Sequence, residues 1–464
     1  MKKLPVFDSR KITPEAMFVA IRGTLTDGHN YIGKAIELGA TTIVCEELPK
    51  FQQSGVEYIK VENSALALAY YAAEYYNNPS SKLRLVGVTG TNGKTTTATL
   101  LYELFTHLGY KVGLMSTVEN RVAGRVSPSH HTTPDPVEIN ALLEQMVSVG
   151  CEYCFMEVSS HGLAQYRTNY LHFQGAIFTN ITHDHLDYHH TFAEYLKVKK
   201  SFFDNLVEGS FALTNVDDKN GLVMLQNTKA RKRTYSLQSM SDYHCRVQEA
   251  LLDGMQIEIN SQQLWVQFIG RFNAYNLTAI YGAAMELGAP SQEVLRILSE
   301  LRPVVGRFEC IHSDDGRLAI VDYAHTPDAL ENVLTTINEL KGRAQIITVV
   351  GCGGDRDATK RPVMAAIAAK LSDRLVLTSD NPRSEEPNSI LNQMAAGLDT
   401  MAMRHTLIIE NRTQAIRTAA ALAGKGDIIL LAGKGHETYQ EINGVRHHFD
   451  DKEQIREAFK SNLI

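Results

Sequence analysis

The sequence predicts an α/β protein of three domains, of which the central one contains a doubly wound, mostly parallel sheet. Short apolar, β-branched runs alternate with segments of helical periodicity along most of the chain. The 464 residues are too many for one hydrophobic core and correspond to roughly three domains of ordinary size. We place the domains at residues 1–82, 83–303 and 304–464.

Composition and charge narrow the class of protein. The chain is 44% apolar and 21% charged, which is typical of globular proteins. Its net charge of −6 argues against a general nucleic-acid binder. We find no apolar signal core and no apolar run of about 18 residues, and therefore expect a cytoplasmic protein without a membrane partner. Cys151 and Cys154 form a C-x-x-C pair without a second pair, which favours buried thiols over a redox or zinc site.

The N-terminal segment predicts a small α/β domain. Its strands are expected at Met17–Ile21 and Thr42–Cys45, and its helices at Tyr31–Leu38 and Ala65–Tyr76. Asn77–Asn78–Pro79 would end the second helix. Asp8–Ser9–Arg10 and Asp27–Gly28–His29 stand at turns, where the spacing leaves turn capping and ligand binding equally open.

The central domain begins with an apolar strand, a Gly/Asn turn and a helix. The turn and the first helical residues are Gly90, Thr91, Asn92, Gly93, Lys94, Thr95 and Thr96. In such a turn the backbone N–H groups and the positive helix end face an anion. Val88 occupies the position of the first glycine in G-x-x-x-x-G-K-[ST], so this is a variant phosphate loop (P-loop). It predicts nucleoside triphosphate binding, with Lys94 on the terminal phosphates and Thr95 on magnesium.

Strands and helices alternate after this loop. The predicted strands are Val112–Ser116, Tyr153–Val158, Gly175–Thr179 and Phe211–Thr214, and the predicted helices are Val137–Val149, Phe192–Leu206, Ala274–Leu287 and Ser291–Leu301. Ligands bind beyond the carboxyl ends of such strands, where two polar segments fall, Glu157–His161 and Asn180–Asp187.

The residue types in these segments leave several roles open. Glu157 is either a magnesium ligand beside Thr95 or a helix-capping or surface carboxylate. The histidines and aspartates of residues 183–190 suit zinc, a solvated turn or a nucleotide-linked metal. Lys197, Lys199 and Lys200 share one helix, and spacing does not identify which lysine turns inward.

The C-terminal segment starts a second alternation of strands and helices, which predicts a Rossmann-like α/β domain. Its strands are expected at Leu318–Val321, Gln345–Val350, Leu375–Thr378, Thr406–Ile409 and Asp427–Leu431. Polar turns follow the strands, and one of them is Asp380–Asn381–Pro382–Arg383. This turn is equally well explained as an ordinary proline turn or as a receptor in which arginine binds a carboxylate.

With these residues laid out, the chain resembles the Mur ligases of peptidoglycan synthesis over nearly its whole length. The matching segments are Asp8–Arg10, Gly90–Thr96, His131–Thr133, Glu157–Leu163, Asn180–Asp187, Gly270–Asn276, Gly306–Glu309, Asp322–Asp328, Gly353–Arg356, Asp380–Arg383 and Gly433–Glu437. The resemblance implies one domain for the UDP end of the substrate, one for ATP and one for an amino acid. It also implies an ADP-forming ligase that makes an amide bond through an acyl phosphate.

The same resemblance implies the substrates. We expect diaminopimelate, as the meso isomer, to be joined to UDP-N-acetylmuramoyl-L-alanyl-D-glutamate by a monomeric enzyme. Arg383 can fork onto the distal carboxylate of diaminopimelate, whereas lysine would leave Arg383 unpaired. The alternatives are an L-lysine-adding Mur ligase, a folylpolyglutamate synthetase and, in a different class, a non-catalytic NTP-binding module.

The resemblance finally implies roles for individual residues. The expected catalytic residues are Lys94, Glu157, His185 and Lys199, with two magnesium ions held by Thr95, Glu157, His185 and a carbamate on Lys199. ATP would contact residues 90–96 together with Asn273, Asn276, Arg307 and Asp322. The muramoyl-peptide would contact Thr132, Thr133, Ser159, Gln165 and Arg167, and the UDP would contact Ser9, Thr24, Leu25 and Thr26. Diaminopimelate would contact Arg356, Asp380, Asn381, Pro382, Arg383, Gly433 and Glu437.

Overall fold

The computed structural model describes residues 2–23, 26–182, 186–189 and 191–461, without the side chains of 186, 187 and 461. Within these ranges the strands form sheets of four, eleven, six and two strands. The α/β class, the large mostly parallel central sheet and the additional sheet domains confirm the predicted fold class. None of the described helices combines the length and the apolar character needed to cross a bilayer.

The four-stranded sheet lies in the N-terminal part and is parallel throughout. Its strands are β1 (Pro5–Val6), β2 (Met17–Val19), β3 (Thr42–Cys45) and β4 (Glu57–Lys60), packed with helices α1 (Ile32–Glu37) and α2 (Ser64–Tyr75). The side chain of Asp8 accepts a hydrogen bond from the Arg10 N–H at 3.0 Å, and that of Asp27 accepts one from the His29 N–H at 2.9 Å. Both aspartates therefore cap turns, as one of the two interpretations proposed.

The eleven-stranded sheet occupies the centre of the chain. Its strands are β5 (Arg84–Thr89), β6 (Val112–Met115), β7 (Glu119–Val122), β8 (Arg125–Pro128), β9 (Tyr153–Glu157), β10 (Phe173–Phe178), β11 (Phe211–Asn215), β12 (Arg231–Ser236), β13 (Tyr243–Leu251), β14 (Gly254–Ile259) and β15 (Gln262–Val266). Its helices are α3 (Lys94–His107), α4 (Pro136–Ser148), α5 (Ser160–Ala164), α6 (Leu186–His189), α7 (Phe192–Asp204), α8 (Gly221–Met224), α9 (Arg271–Glu286) and α10 (Ser291–Glu300).

Strand β5 lies between β9 and β10 and is parallel to both. The register places Val88 beside Glu157 and Thr89 beside Phe178, so the three strands end at the same level. The phosphate loop, Glu157 and Asn180 consequently meet at one edge of the sheet, as the strand order of doubly wound folds requires.

Three parts of this sheet, among the residues that the structure describes, differ from the predicted alternation. The hairpin β7–β8, the strand β12 and the antiparallel run β13–β15 lie in segments for which no strands were predicted. The run was recognisable, because Met255, Ile257 and Ile259 are buried and alternate with more exposed polar residues.

The six-stranded sheet belongs to the C-terminal part. Its strands are β16 (Glu309–His312), β17 (Leu318–Asp322), β18 (Ile346–Val350), β19 (Arg374–Leu377), β20 (Thr406–Ile408) and β21 (Ile428–Ala432), and a hairpin of β22 (Tyr439–Ile442) and β23 (Val445–His448) follows. The helices are α11 (Pro327–Leu340), α12 (Lys360–Leu371), α13 (Pro387–Ala395), α14 (Thr400–Arg404), α15 (Arg412–Leu422) and α16 (Asp451–Ser461). Asp322 and Val350 both pair with Ala432, so the turns after β17, β18 and β21 share one edge.

Candidate active site

Three cavities meet where the C-terminal sheet faces the phosphate loop. They have volumes of about 440, 960 and 150 Å³, and we call them the nucleotide cavity, the main cavity and the amino-acid cavity. Tyr323 and His325, in the turn after β17, line all three. Many of the side chains that the family resemblance assigned to separate ligands therefore surround one continuous junction.

The phosphate loop has the predicted strand–turn–helix form. Gly90 and Gly93 have φ values of +151° and +87°, in the region that favours glycine. A Cβ on Gly90 would lie 1.9 Å from the Thr179 hydroxyl oxygen, and one on Gly93 would lie 2.6 Å from Asn276 Oδ1. The loop therefore packs too closely on its neighbours for larger residues. The ammonium of Lys94 donates to the carbonyls of Gly90 at 2.9 Å and Thr91 at 2.8 Å.

The environment of the Glu157 carboxylate suits a metal ligand. It is 1% exposed, and Ser159 rather than Glu157 caps α5, so the surface and helix-cap interpretations were wrong. Its Oε1 accepts from the Thr117 N–H at 2.7 Å. Its Oε2 is buried without a hydrogen-bond partner among the described residues. A buried carboxylate oxygen without a donor, in a cavity that Thr95 also lines, fits a hard cation with oxygen ligands.

The three lysines of α7 have different environments. Lys199 is 1% exposed, donates to the Gly90 carbonyl at 2.9 Å, and lies 4.8 Å from the Tyr195 ring centre. Lys200 pairs with Asp204 at 2.6 Å, and Lys197 is exposed. Lys199 is thus the lysine that turns towards the phosphate loop. His185, the other expected metal ligand, lies outside the described residues.

Four of the five residues expected around the muramoyl-peptide, all except Thr132, are hydrogen-bonded to one another. The Arg167 guanidinium donates to Gln165 Oε1 at 2.6 and 3.0 Å and to the Thr133 carbonyl at 2.6 Å. Thr133 Oγ1 accepts from the Ser159 N–H at 2.9 Å, and Thr117 donates to Thr132 Oγ1 at 3.0 Å.

Four of these five residues, all except Gln165, line the main cavity. Burial lowers the pKa of Arg167. Of the residues expected around the UDP, Ser9 and Thr26 do not line the main cavity, and Thr24 and Leu25 lie outside the described residues.

Asn273, Asn276, Arg307 and Asp322 line the nucleotide cavity. Both carboxylate oxygens of Asp322 accept backbone N–H groups at 2.7 Å, from Phe308 and Ala324. Burial raises the pKa of Asp322, and nearby Arg307 opposes this rise. Asp322 therefore shapes the turn that carries the junction residues.

Among the residues that the structure describes, two side-chain hydrogen bonds join the C-terminal part to the phosphate loop. Arg307 Nη2 donates to the Thr95 hydroxyl at 3.1 Å, and its guanidinium lies 4.4 Å from the Tyr323 ring centre. The amide of Asn92 donates to Asp328 Oδ2 at 2.8 Å. The segment before β16 and the start of α11 therefore both contact the phosphate loop, and Arg307 also contacts Tyr323, which lines the amino-acid cavity.

The amino-acid cavity carries charges of both signs. Arg356, Lys360 and Arg383 supply cations, and Asp357, Asp380 and Glu437 supply carboxylates. Asn381 and Gly433 complete the expected set in its lining, whereas Pro382 does not line it.

Glu437 Oε2 accepts from Asn381 at 2.8 Å and from buried Lys434 at 3.2 Å. Burial and then Asp380 raise the pKa of Glu437, against the opposing effect of Lys434.

Sequence reasoning gave no role to several residues of the junction. Tyr323, His325 and Lys434 stand inside turns that were recognised as polar strand ends, so their positions were marked but their contacts were not. Thr117, whose N–H donates to Glu157, is the second residue after β6 and carried no signal of its own. The pair of Cys151 and Cys154 is buried, as predicted.

Comparison with known proteins identifies the family. Family models match residues 6–76 (Mur ligase family, catalytic domain), 88–284 (Mur ligase middle domain) and 306–435 (Mur ligase, glutamate ligase domain). A relative from Parabacteroides distasonis, named UDP-N-acetylmuramoyl-L-alanyl-D-glutamate--2,6-diaminopimelate ligase, is 59% identical over 98% of this chain and 94% of its own. A solved structure with the same name superposes with a TM-score of 0.70 at 34% identity, over 99% of this chain and 95% of that one.

A more distant structure, MurF ligase from Thermotoga maritima in complex with ADP, shares the fold. It superposes with a TM-score of 0.67 at 19% identity, over 100% of this chain and 98% of that one. The three family models follow one another along the chain, and the 59% identity extends over nearly all of it. The chain belongs to the Mur ligase family.

Proposed function

We propose that this protein is an ATP-dependent, ADP-forming ligase that joins diaminopimelate to UDP-N-acetylmuramoyl-L-alanyl-D-glutamate in peptidoglycan synthesis. The proposal rests mainly on the amino-acid cavity, which is lined by three cations and three carboxylates. Tyr323 and His325 line both this cavity and the main cavity, which the phosphate loop also lines. Diaminopimelate has two carboxylates and two amino groups, so a cavity with several charges of each sign complements it. The name carried by the 59%-identical relative supports the same substrates.

In the proposed reaction, the D-glutamyl carboxylate takes the γ-phosphoryl group of ATP, and an amine then attacks the acyl phosphate and releases phosphate. Two anions have to meet in the first step, so positioning and charge neutralisation dominate the barrier. Lys94, Lys199 and Arg307 all contact the phosphate loop, and Lys94 would exchange its carbonyl partners for phosphate oxygens. Arg167, Thr133 and Ser159 would hold the peptide that carries the carboxylate.

We further propose that Thr95, Glu157, His185 and a carbamylated Lys199 hold two magnesium ions. Magnesium bound there would neutralise charge on the phosphates and on the acceptor carboxylate. The buried Oε2 of Glu157 supports this assignment, and so does the placement of Lys199 against the Gly90 carbonyl. A carbamate would convert a buried cation into an anionic oxygen ligand, and mass spectrometry after incubation with labelled bicarbonate would detect it.

We propose that different side chains of the amino-acid cavity bind the carboxylates and the distal ammonium group of diaminopimelate. Arg383 and Arg356 would bind carboxylates, while Glu437 and Asp380 would accept hydrogen bonds from the distal ammonium group. We also propose that the enzyme is a cytoplasmic monomer. Sedimentation at micromolar concentration would test the monomer.

A coupled assay of ADP release tests the function and the substrate together. We expect release only when the UDP-linked dipeptide and meso-diaminopimelate are both present, with weak release for L-lysine. The non-catalytic alternative predicts no release, and a folylpolyglutamate synthetase would respond to a folate and glutamate instead.

Arg383→Ala tests the selection of diaminopimelate. Loss of a charge-assisted hydrogen bond of about 1.5–3 kcal/mol corresponds to a fall of roughly 10- to 100-fold in kcat/KM for diaminopimelate. The kcat/KM for lysine should change little, because lysine lacks the distal carboxylate that Arg383 would bind. Arg404→Ala, at an exposed arginine in α14, is the control and should keep the preference. An unchanged preference in Arg383→Ala would show that Arg383 does not select the substrate.

A further inference from the structure

The two loops that carry Arg356 and Arg383 are joined by an ion pair outside the amino-acid cavity. Arg361, in α12, is 1% exposed, and its Nη1 and Nη2 donate to the two carboxylate oxygens of Glu385 at 2.8 Å each. Nη1 also donates to Gln393 at 2.7 Å, and Nη2 to the Gly353 carbonyl at 3.1 Å. A bidentate pair held at both ends fixes the orientation of Glu385.

Glu385 in turn holds an unusual turn in the first loop. Its Oε1 accepts from the Asp355 N–H at 2.6 Å, and Asp355 has a φ of +54°. The Asp355 carboxylate accepts from the Ser384 hydroxyl at 2.6 Å. Residues other than glycine rarely adopt this backbone conformation and keep it only where surrounding contacts enforce it. Arg356 directly follows this turn, so the direction of its side chain depends on the turn.

The backbones of the two loops are also in direct contact. The Gly354 N–H donates to the Asn381 carbonyl at 2.9 Å, and Arg383 Nη1 donates to the Gly354 carbonyl at 2.8 Å. A Cβ on Gly354 would lie 1.9 Å from the Pro382 carbonyl oxygen. Arg383 itself has a φ of +52°. The two arginines therefore stand on loops that are positioned as one unit.

We propose that Glu385, oriented by Arg361, is a positioning residue that sets the spacing of Arg356 and Arg383 and thereby selects an amino acid with a second carboxylate. Neither Glu385 nor Arg361 is among the residues that line the amino-acid cavity, so both act through the loops. The inference rests on the proposed function, because it specifies how the same cavity discriminates diaminopimelate from lysine.

The test measures the KM of each substrate separately in Glu385→Gln, Glu385→Ala and Arg361→Lys. We expect the KM for meso-diaminopimelate to rise about tenfold or more, and the preference over lysine to fall by a similar factor. The KM values for ATP and for the UDP-linked dipeptide should stay within about twofold, because the side chains assigned to them, such as Asn273, Thr133 and Arg167, lie on other segments of the chain. Glu385→Gln keeps the shape of the side chain, so it remains informative if the alanine variant does not fold.

Arg317→Gln is the matched control. Arg317 is 4% exposed and pairs with Asp315 at 2.7 Å, but it precedes β17 at the sheet edge opposite the loops. It should lower the melting temperature and leave all three KM values unchanged. The proposal is overturned if folded Glu385 variants keep the diaminopimelate KM and preference, or if all three KM values rise together. A wild-type enzyme that forms no product with any diamino acid would instead refute the proposed function itself.

Discussion

Glu157→Gln separates the proposed metal-binding role of Glu157 from a purely structural one. The substitution keeps the size of a side chain that is 1% exposed and keeps an acceptor for the Thr117 N–H at 2.7 Å. It removes the negative charge at Oε2, which is buried without a hydrogen-bond partner among the described residues. We therefore expect opposite effects on stability and on metal-dependent activity.

The structure sets the size of both effects. An unsatisfied buried acceptor costs about 1–3 kcal/mol, and a neutral amide at that position costs less than a carboxylate. Without ligands, the variant should gain about 1 kcal/mol, or about 2–4 °C in melting temperature for a domain of this size. A direct metal ligand contributes several kcal/mol to charge stabilisation, so ADP release should fall by roughly 10²- to 10³-fold at low magnesium.

The assay combines thermal unfolding with magnesium titration. Wild-type protein should gain stability from magnesium and ATP together, and Glu157→Gln should lose most of that gain. Glu286→Gln is the matched control, because Glu286 is a buried carboxylate of the same domain whose side chain already pairs with Arg233 at 2.6 Å. It should lower the melting temperature and keep the magnesium dependence. A destabilised Glu157→Gln that retains normal magnesium dependence would refute the argument.

Two further predictions follow from the junction. Gly306→Ala should reduce kcat and stability, because the new Cβ would lie 2.1 Å from the backbone nitrogen of His436 and would displace Arg307 from Thr95. The overpacking should cost about 1–3 kcal/mol of stability, in addition to the strain of an alanine at a φ of +70°. Gly316→Ala, at a φ of +91° beside only the Lys425 side chain, is the control in melting and rate measurements, and equal losses would contradict the prediction. The KM for diaminopimelate should rise as the pH falls, because only the anionic form of Glu437 binds an ammonium group. Burial raises the pKa of Glu437, so its negative charge is lost at a higher pH than that of an ordinary glutamate. Lys434→Met removes a cation that lowers the pKa of Glu437, so the rise in KM should begin at a higher pH in this variant. If the KM–pH profile does not move, Glu437 is not the titrating group.

The parts of the fold that the sequence predicted are those with local signals. The strand β5, its glycine turn and α3 follow one another without interruption, so period, turn chemistry and helix start agree within a few residues. The same holds for β9 and Glu157. Strand β12 was missed because it begins with charged residues, so the apolar alternation that marks Gly254–Ile259 is absent from Arg231–Arg233.

The candidate site shows a different limit. The family resemblance predicted that Asp322 and Arg307 lie near a nucleotide, but it did not show which atoms their side chains contact. In the structure both carboxylate oxygens of Asp322 are taken up by backbone N–H groups, and Arg307 reaches Thr95 across 212 residues of sequence. Such contacts depend on how the C-terminal sheet is placed against the central one, which no periodicity within either segment encodes. Because Asp322 holds the turn from which Tyr323 lines all three cavities, the proposed ligase reaction depends on that turn as well as on the residues that would contact the ligands.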